Sequence, residues 1–238
     1  MCGIIGAISA KENVIPFVLN GLEHLEYRGY DSAGCAFLKN KKIEVFKRKG
    51  RVRSLEKDLS NDSSSLALAH TRWATHGEVS KNNAHPHTCD KITLVHNGII
   101  ENYQELKAKL EDQHYQFKTE TDTEVAGFLL NSLIKKNKDI SKAMFEFIEQ
   151  VQGSYAISFL IEEEEALYAI KKDNPLFIGK KDEIFYLSSD AHVPSGGSEI
   201  YALNDFEWAK ITRDGISFYN KEGECINKIP LALIKDAT

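Results

Sequence analysis

The chain has four cysteines in 238 residues, at positions 2, 35, 89 and 225, and no Cys-x-x-Cys pair. That usage argues against a disulfide framework and fits reduced thiols in a cytoplasm. No apolar run approaches the ~18 residues that a membrane-spanning helix needs. Lys11 and Glu12 interrupt the N-terminal apolar stretch too early for a signal peptide. Positive charge is not in excess. The formal net charge is −5 and no basic stripe carries interleaved aromatics, so neither nucleic acid nor a membrane is the expected partner. No internal repeat and no Pro- or Ser-rich linker divides the chain. What remains is an ordinary globular composition, 42% hydrophobic and 27% charged. At this length one large domain or two small ones bury roughly 70–75% of the unfolded surface and need no staples.

The hydrophobic pattern predicts a mixed fold. Residues 3–9 (GIIGAIS) read as a buried strand. Residues 14–26 have helical spacing, with Pro16 tolerable in the first turn and Gly29 closing the helix. Strands are expected at 33–39 and 43–49, joined by the turn Asn40–Lys42, and again at 66–70 and 92–96. Helices are expected over 100–113, 122–136 and 140–151, followed by a β-rich remainder from SYAISFLI (154–161) to GISFYN (215–220). The run Glu162–Glu165 reads as a solvated hairpin turn. Many strands with helices grouped between them imply an α+β layered domain. The last residues, IPLALIKDAT, stop without a closing element, which fits a domain cut from a longer chain.

Four stretches could carry chemistry. Cys2 stands directly behind Met1. Either it packs as a small hydrophobe at the start of a strand, or Met1 is removed and Cys2 becomes an N-terminal nucleophile. A thiol with pKa ~8.5 is only a few per cent thiolate at neutral pH and needs a base. A free α-amine, at ~7.7–8, is well matched to that task. The second stretch is AHTRWATHGEVSKNNAHPH (69–87), long and irregular after a strand, like many lids. Arg72 offers a planar fork for a carboxylate or forms a surface ion pair. Trp73 covers a ligand or packs in the core. His70, His76, His85 and His87, with Cys89 beyond, raise the question of a metal, but His-x-His-x-Cys does not match the common zinc spacings.

The third stretch is VHNGIIENY (95–103). Asn-Gly after a strand is normally a tight turn. A strand–Asn97–Gly98–helix junction would instead present an amide and a backbone N–H as a pair of oxyanion donors. The fourth is TETDTEV (119–125). Thr121 and Glu124 have capping-box spacing, and Asp122 either favours the helix dipole or faces a cleft and binds an ammonium group. Together these are a nucleophile with its own base, an oxyanion hole, a cationic fork and an anionic partner. An amino acid with a side-chain amide, glutamine, would meet all of them.

LEYRGYDSAG (25–34), AHTRWATHGE (69–78), NAHPH (83–87), VHNGIIENY (95–103) and ETDTEV (120–125) stand in one register behind MCGI. In this the chain resembles the class II glutamine amidotransferases, the N-terminal-nucleophile glutaminases, and among them the glutaminase domains of the glutamine–fructose-6-phosphate aminotransferases. SDAHVP (189–194) matches more loosely. The resemblance implies a four-layer αββα sandwich over residues 1–238 as a single domain. It implies that Cys2 attacks the amide carbon of L-glutamine and that Asn97 and Gly98 form the oxyanion hole. It implies that Arg72 takes the α-carboxylate and Asp122 the α-ammonium. Trp73, Thr75, His76 and Gly77 would belong to a loop closing over the substrate, with His85 beside the pocket and Arg28 positioning the N-terminus. No cofactor and no metal is implied. The implied partners are C-terminal sugar-phosphate isomerase domains, absent from this chain, in a cytoplasmic parent enzyme that is a homo-oligomer. One departure is local: in YALNDFEWAKIT (201–212) Phe206 stands where the family usually has glycine, which puts the geometry of that turn in doubt.

Overall fold

The computed structural model describes residues 2–73 and 80–231. The chain opens with β1 (Gly3–Ser9), α1 (Ile15–His24), a 3-10 turn (Glu26–Arg28), β2 (Ser32–Lys39), β3 (Lys42–Lys49), α2 (Arg53–Leu59) and β4 (Leu66–Arg72). After the undescribed stretch come β5 (His87–Cys89), β6 (Ile92–Ile100), α3 (Tyr103–Asp112), α4 (Asp122–Asn137), α5 (Ile140–Gln150), β7 (Gly153–Ile161) and β8 (Ala166–Lys172). The chain then returns through β9 (Phe177–Lys181), β10 (Ile184–Ser188) and β11 (Glu199–Ala202), and finishes with β12 (Trp208–Thr212), β13 (Gly215–Tyr219) and β14 (Cys225–Ile226).

The strands form two antiparallel sheets. One has the order β11-β9-β10-β1-β4-β2-β3, the other β14-β13-β12-β8-β7-β6-β5. Three apolar layers hold them together. α1 and α2 cover the outer face of the first sheet, through Val18, Leu22 and Leu55 against Ile5, Ala67 and Ala69. α3, α4 and α5 cover the outer face of the second, through Leu106, Leu129 and Phe147 against Leu94, Ile157 and Tyr168. Between the sheets, Ile4, Ile8, Leu66 and Leu68 meet Val95, Ala156, Leu160 and Leu167. The result is the αββα sandwich that the motif resemblance implies.

β1 lies mid-sheet with both faces covered, which is why GIIGAIS is buried throughout. Pro16 sits in the first turn of α1 as expected, but α1 stops at His24 and the chain tightens into the 3-10 turn before Gly29. α2 was not legible, because seven residues with Leu55 and Leu59 alone buried give almost no periodicity.

The predicted strand–Asn–Gly–helix junction is corrected. β6 does not end at His96 but runs on to Ile100, pairing Asn97 with Ala156 and Gly98 with Tyr155, and α3 begins only at Tyr103. Phe206, at φ +67°, occupies the left-handed region that glycine favours. Its N–H donates to the Lys171 carbonyl at 2.8 Å, and its ring packs on the helix-side core.

Candidate active site

Side chains alternate along a strand, so every second residue shares a face. On β4 the inward face carries Leu66 and Leu68 and continues into His70 and Arg72. On β1 the same face carries Ile8 and Ile4, and one more step of two reaches Cys2. On β6 it carries Val95 and then Asn97. The apolar layer between the sheets therefore turns polar at one end, where β1, β4 and β6 deliver their ends to a common place.

A cavity of about 250 Å³ opens there, the size for a small metabolite and not a macromolecule. Of the residues expected from the sequence, Cys2, Arg28, Arg72, Trp73, His85, Asn97, Gly98 and Asp122 all line it. Thr75, His76 and Gly77 lie outside the described residues.

Cys2 is held from several directions. Its Sγ accepts the Trp73 N–H at 3.3 Å and faces the Trp73 carbonyl at 3.6 Å. Its carbonyl accepts from Asn97 Nδ2 at 2.9 Å. The next residue must be glycine: a methyl group on Gly3 would lie 2.7 Å from Leu25 Cβ and 2.8 Å from Thr71 Oγ1. Ile4 N–H then donates to Ser189 Oγ at 3.0 Å, and Ser189 N–H returns a bond to the Ile4 carbonyl. Burial pushes the Cys2 thiol up, while the Trp73 N–H and the Arg72 charge oppose it. A thiol in this state needs a base to react at neutral pH.

Gly98 has φ +121°, and a Cβ there would strike the Ser154 carbonyl at 2.0 Å. Glycine is thus required twice over, by conformation and by the neighbouring strand. Arg72 is only 4% exposed, which overturns the reading of a surface ion pair. Trp73 is 54% exposed on the rim, so it is not a core residue. Arg28 donates to Asp190 Oδ2 at 3.3 Å, and the Tyr27 hydroxyl bonds the same oxygen. SDAHVP therefore holds both β1, through Ser189, and Arg28, through Asp190.

Asp122 resolves the two readings of TETDTEV. Thr121 is the N-cap of α4, its Oγ1 accepting from Glu124 N–H at 3.3 Å. The capping box is not reciprocal, because the Glu124 carboxylate takes the Lys118 and Thr119 N–H groups instead. Asp122 is left to face the cavity, with Oδ2 fixed by Ile100 N–H at 2.8 Å.

Four buried histidines stand together here: His85 and His96 in the cavity wall, His70 and His87 behind it. His70 and His85 stack at 4.2 Å, and His85 meets His87 edge-on at 4.8 Å. Burial lowers the pKa of each, to about 3 for His70. His85 Nδ1 accepts the His96 N–H at 3.3 Å, so its proton sits on Nε2, 3.3 Å from Thr123 Oγ1. Thr123 in turn donates to His96 Nδ1 at 3.1 Å. His96 therefore accepts on the side that faces Asp122, 4.0 Å away, and does not neutralise that carboxylate. Cys89 Sγ faces the Glu124 carbonyl at 3.5 Å. Among the described residues no three His, Cys, Asp or Glu side chains are grouped to hold a metal ion.

Sequence reasoning missed His96, Ser154 and Asn174 in the cavity wall. Asn174 falls between two strands beside Pro175, where nothing distinguishes it from a turn residue. Thr123 was masked by its place inside a helix-start motif.

The profile of the glutamine amidotransferase domain family matches residues 70–193. The glutamine–fructose-6-phosphate aminotransferase of Clostridium tetani is 44% identical over 234 residues, covering 96% of this chain and 38% of that protein. Its counterpart in Helicobacter pylori is 46% identical over 194 residues, covering 79% of this chain and 32% of that protein. The chain thus spans about a third of these relatives' length. Among solved structures, a glutamine phosphoribosylpyrophosphate amidotransferase from B. subtilis shares the fold with a TM-score of 0.79, at 24% identity, over 94% of this chain and 50% of that one. The chain belongs to the class II glutamine amidotransferases and is homologous to the glutamine–fructose-6-phosphate aminotransferases.

Proposed function

We propose that this domain hydrolyses the side-chain amide of L-glutamine to glutamate and ammonia through a thioester on Cys2. The observation that carries the reading is the convergence of Cys2, Asn97, Arg72 and Asp122 on one small cavity. After loss of Met1, the Cys2 α-amine takes the thiol proton as sulfur attacks the amide carbon. Asn97 Nδ2 and Gly98 N–H receive the charge that develops on oxygen. The amine returns its proton to the leaving nitrogen, ammonia departs, and the acyl group stays on sulfur. Water, deprotonated by the same amine, then releases glutamate and restores the thiol. Arg72 binds the α-carboxylate with its planar fork and Asp122 the α-ammonium. Trp73, at the rim of the cavity, covers the bound substrate, and Arg28 positions the N-terminus.

The homology to aminotransferases far longer than this chain supports a second step elsewhere. Ammonia is passed to fructose 6-phosphate, bound by C-terminal isomerase domains, to make glucosamine 6-phosphate. Residues 1–238 alone then carry out the glutaminase half-reaction only.

The test is intact mass before and after incubation with an electrophilic glutamine analogue, beside an assay for glutamate. Expected are a starting mass short by one methionine, a single adduct on Cys2 and steady glutamate release that Cys2→Ala abolishes. A retained methionine with no adduct and no turnover would make this a silent glutamine-binding module.

A further inference from the structure

Asn97 can serve an oxyanion only with its nitrogen, and the two ends of its amide have nearly the same shape. Something must decide which end faces the cavity. We propose that His70 is the positioning residue that makes this choice, holding Asn97 Oδ1 so that Nδ2 points to Cys2 and the cavity. The inference rests on the glutaminase reading for its consequence, and on hydrogen-bond geometry for its substance.

His70 is wholly buried on β4, opposite Ile4 on one side and Gly34 on the other. Its Nε2 lies 3.0 Å from Asn97 Oδ1 and 3.2 Å from the His96 carbonyl oxygen. Both neighbours are acceptors, so Nε2 carries the proton and shares it between them. Nδ1 is buried with no hydrogen-bond partner among the described residues, so none of them competes for the other tautomer. Burial also keeps the ring neutral across the working pH range, so this donor does not change with conditions. At its other end Asn97 donates one Nδ2 hydrogen to the Cys2 carbonyl at 2.9 Å. The amide is therefore matched at both ends, and the second Nδ2 hydrogen is left for an oxyanion. The flipped amide would set an N–H against the His70 N–H and an oxygen against the Cys2 carbonyl, and would aim an oxygen lone pair at a developing negative charge. With His70 removed, only the Cys2 carbonyl opposes that flip.

The paired variants His70→Gln and His70→Asn separate this role from packing. The glutamine amide reaches the place of Nε2, whereas asparagine ends near Nδ1. In Met1-processed protein, His70→Asn is expected to lower kcat by about 10²-fold with KM little changed, the pattern of an interaction made in the transition state. His70→Gln should recover most of that loss. Glutamate γ-semialdehyde, which adds Cys2 to form a tetrahedral hemithioacetal, should lose affinity in His70→Asn in step with kcat, while L-glutamate binds as before. In an Asn97→Ala background His70→Asn should have no further effect on kcat. An unchanged kcat in His70→Asn, an effect confined to KM, or a full additional loss in the Asn97→Ala background would overturn the assignment. Nitrogen NMR of the wild-type ring reads the tautomer without any variant: protonation at Nε2 is expected, and protonation at Nδ1 would refute it. A wild-type protein that fails to turn over glutamine at all would count against the glutaminase reading instead, and the NMR result would still decide the geometry.

Discussion

The two ends of the space between the sheets are made by the same strands and do opposite things. At one end Ile8, Leu66, Leu68, Leu160 and Leu167 exclude water and lock the sheets together. At the other, further along the same alternation, stand Cys2, His70, Arg72 and Asn97. Apolar packing is non-directional and its value scales with area. Hydrogen-bonded polar groups are directional, and buried ones are costly unless matched. The first end therefore supplies stability and tolerates hydrophobic exchange. The second supplies fixed directions, maintained by the rigidity of the first.

This contrast makes the sharpest prediction at the apolar end. Leu160 is fully buried between the sheets. Leu160→Ala is expected to cost about 2–5 kcal/mol of unfolding free energy in urea, and to leave kcat for glutamine unchanged at a temperature where the variant stays folded. A tenfold loss of kcat in the folded variant would show that the two ends are not separable. At the polar end the pattern should invert. Asn97→Ala is expected to lower kcat by about 10²–10³, or ~2.7–4 kcal/mol on the barrier, with a smaller change in stability. Unaltered turnover would remove Asn97 from the oxyanion role.

The dependence of stability on pH should also separate the ends. His70, His85, His87 and His96 are held neutral by burial, each with its pKa lowered. Unfolded, each takes up a proton below its ordinary pKa of ~6.5. Between that value and the lowered native one, about 3 for His70, the unfolded state binds more protons, so stability falls as pH falls. Each histidine adds up to ~1.4 kcal/mol per pH unit to the slope. Urea titrations at pH 7.5 and pH 5.5 should show a clear loss in the wild type and the same loss in Leu160→Ala. A flat profile would mean that these rings are protonated, or hydrated, in the native state.

Much of this was legible in the sequence, and the failures have physical causes. The layered α+β class, the fully buried β1, the start of α4 and the presence of Cys2, Arg72, Asn97 and Asp122 at one cavity follow from apolar patterning and from the resemblance of the motifs. β6 was misjudged because Asn-Gly is a strong local turn signal, and only pairing with β7 carries the strand through it. His70 was weighed as a metal ligand, since a sequence shows a histidine but not the acceptors around its ring. Asn174 was missed because a turn residue between β8 and β9 becomes a cavity wall only once the sheets are stacked and the turn comes to lie against Gly98 of β6.

Phe206 lies outside both ends and serves as the control for the comparison. The family resemblance led to glycine being expected there, and the chain indeed adopts the conformation that glycine favours, with a phenylalanine in it. Two terms then oppose each other: a left-handed backbone under a side chain costs about 1–2 kcal/mol, while the ring gains contact with the core and with the Lys172 and Lys221 ammonium groups. Phe206→Ala removes the ring and keeps the strain. Phe206→Gly removes both. The glycine variant should therefore be the more stable of the two by about 1 kcal/mol in urea unfolding, less the extra chain entropy that glycine gives the unfolded state. Neither variant should alter kcat or the pH slope, because Phe206 is not among the residues that line the cavity. Equal stability of the two variants would mean that the strain is relieved elsewhere in the turn, and that the ring alone decides what phenylalanine contributes there.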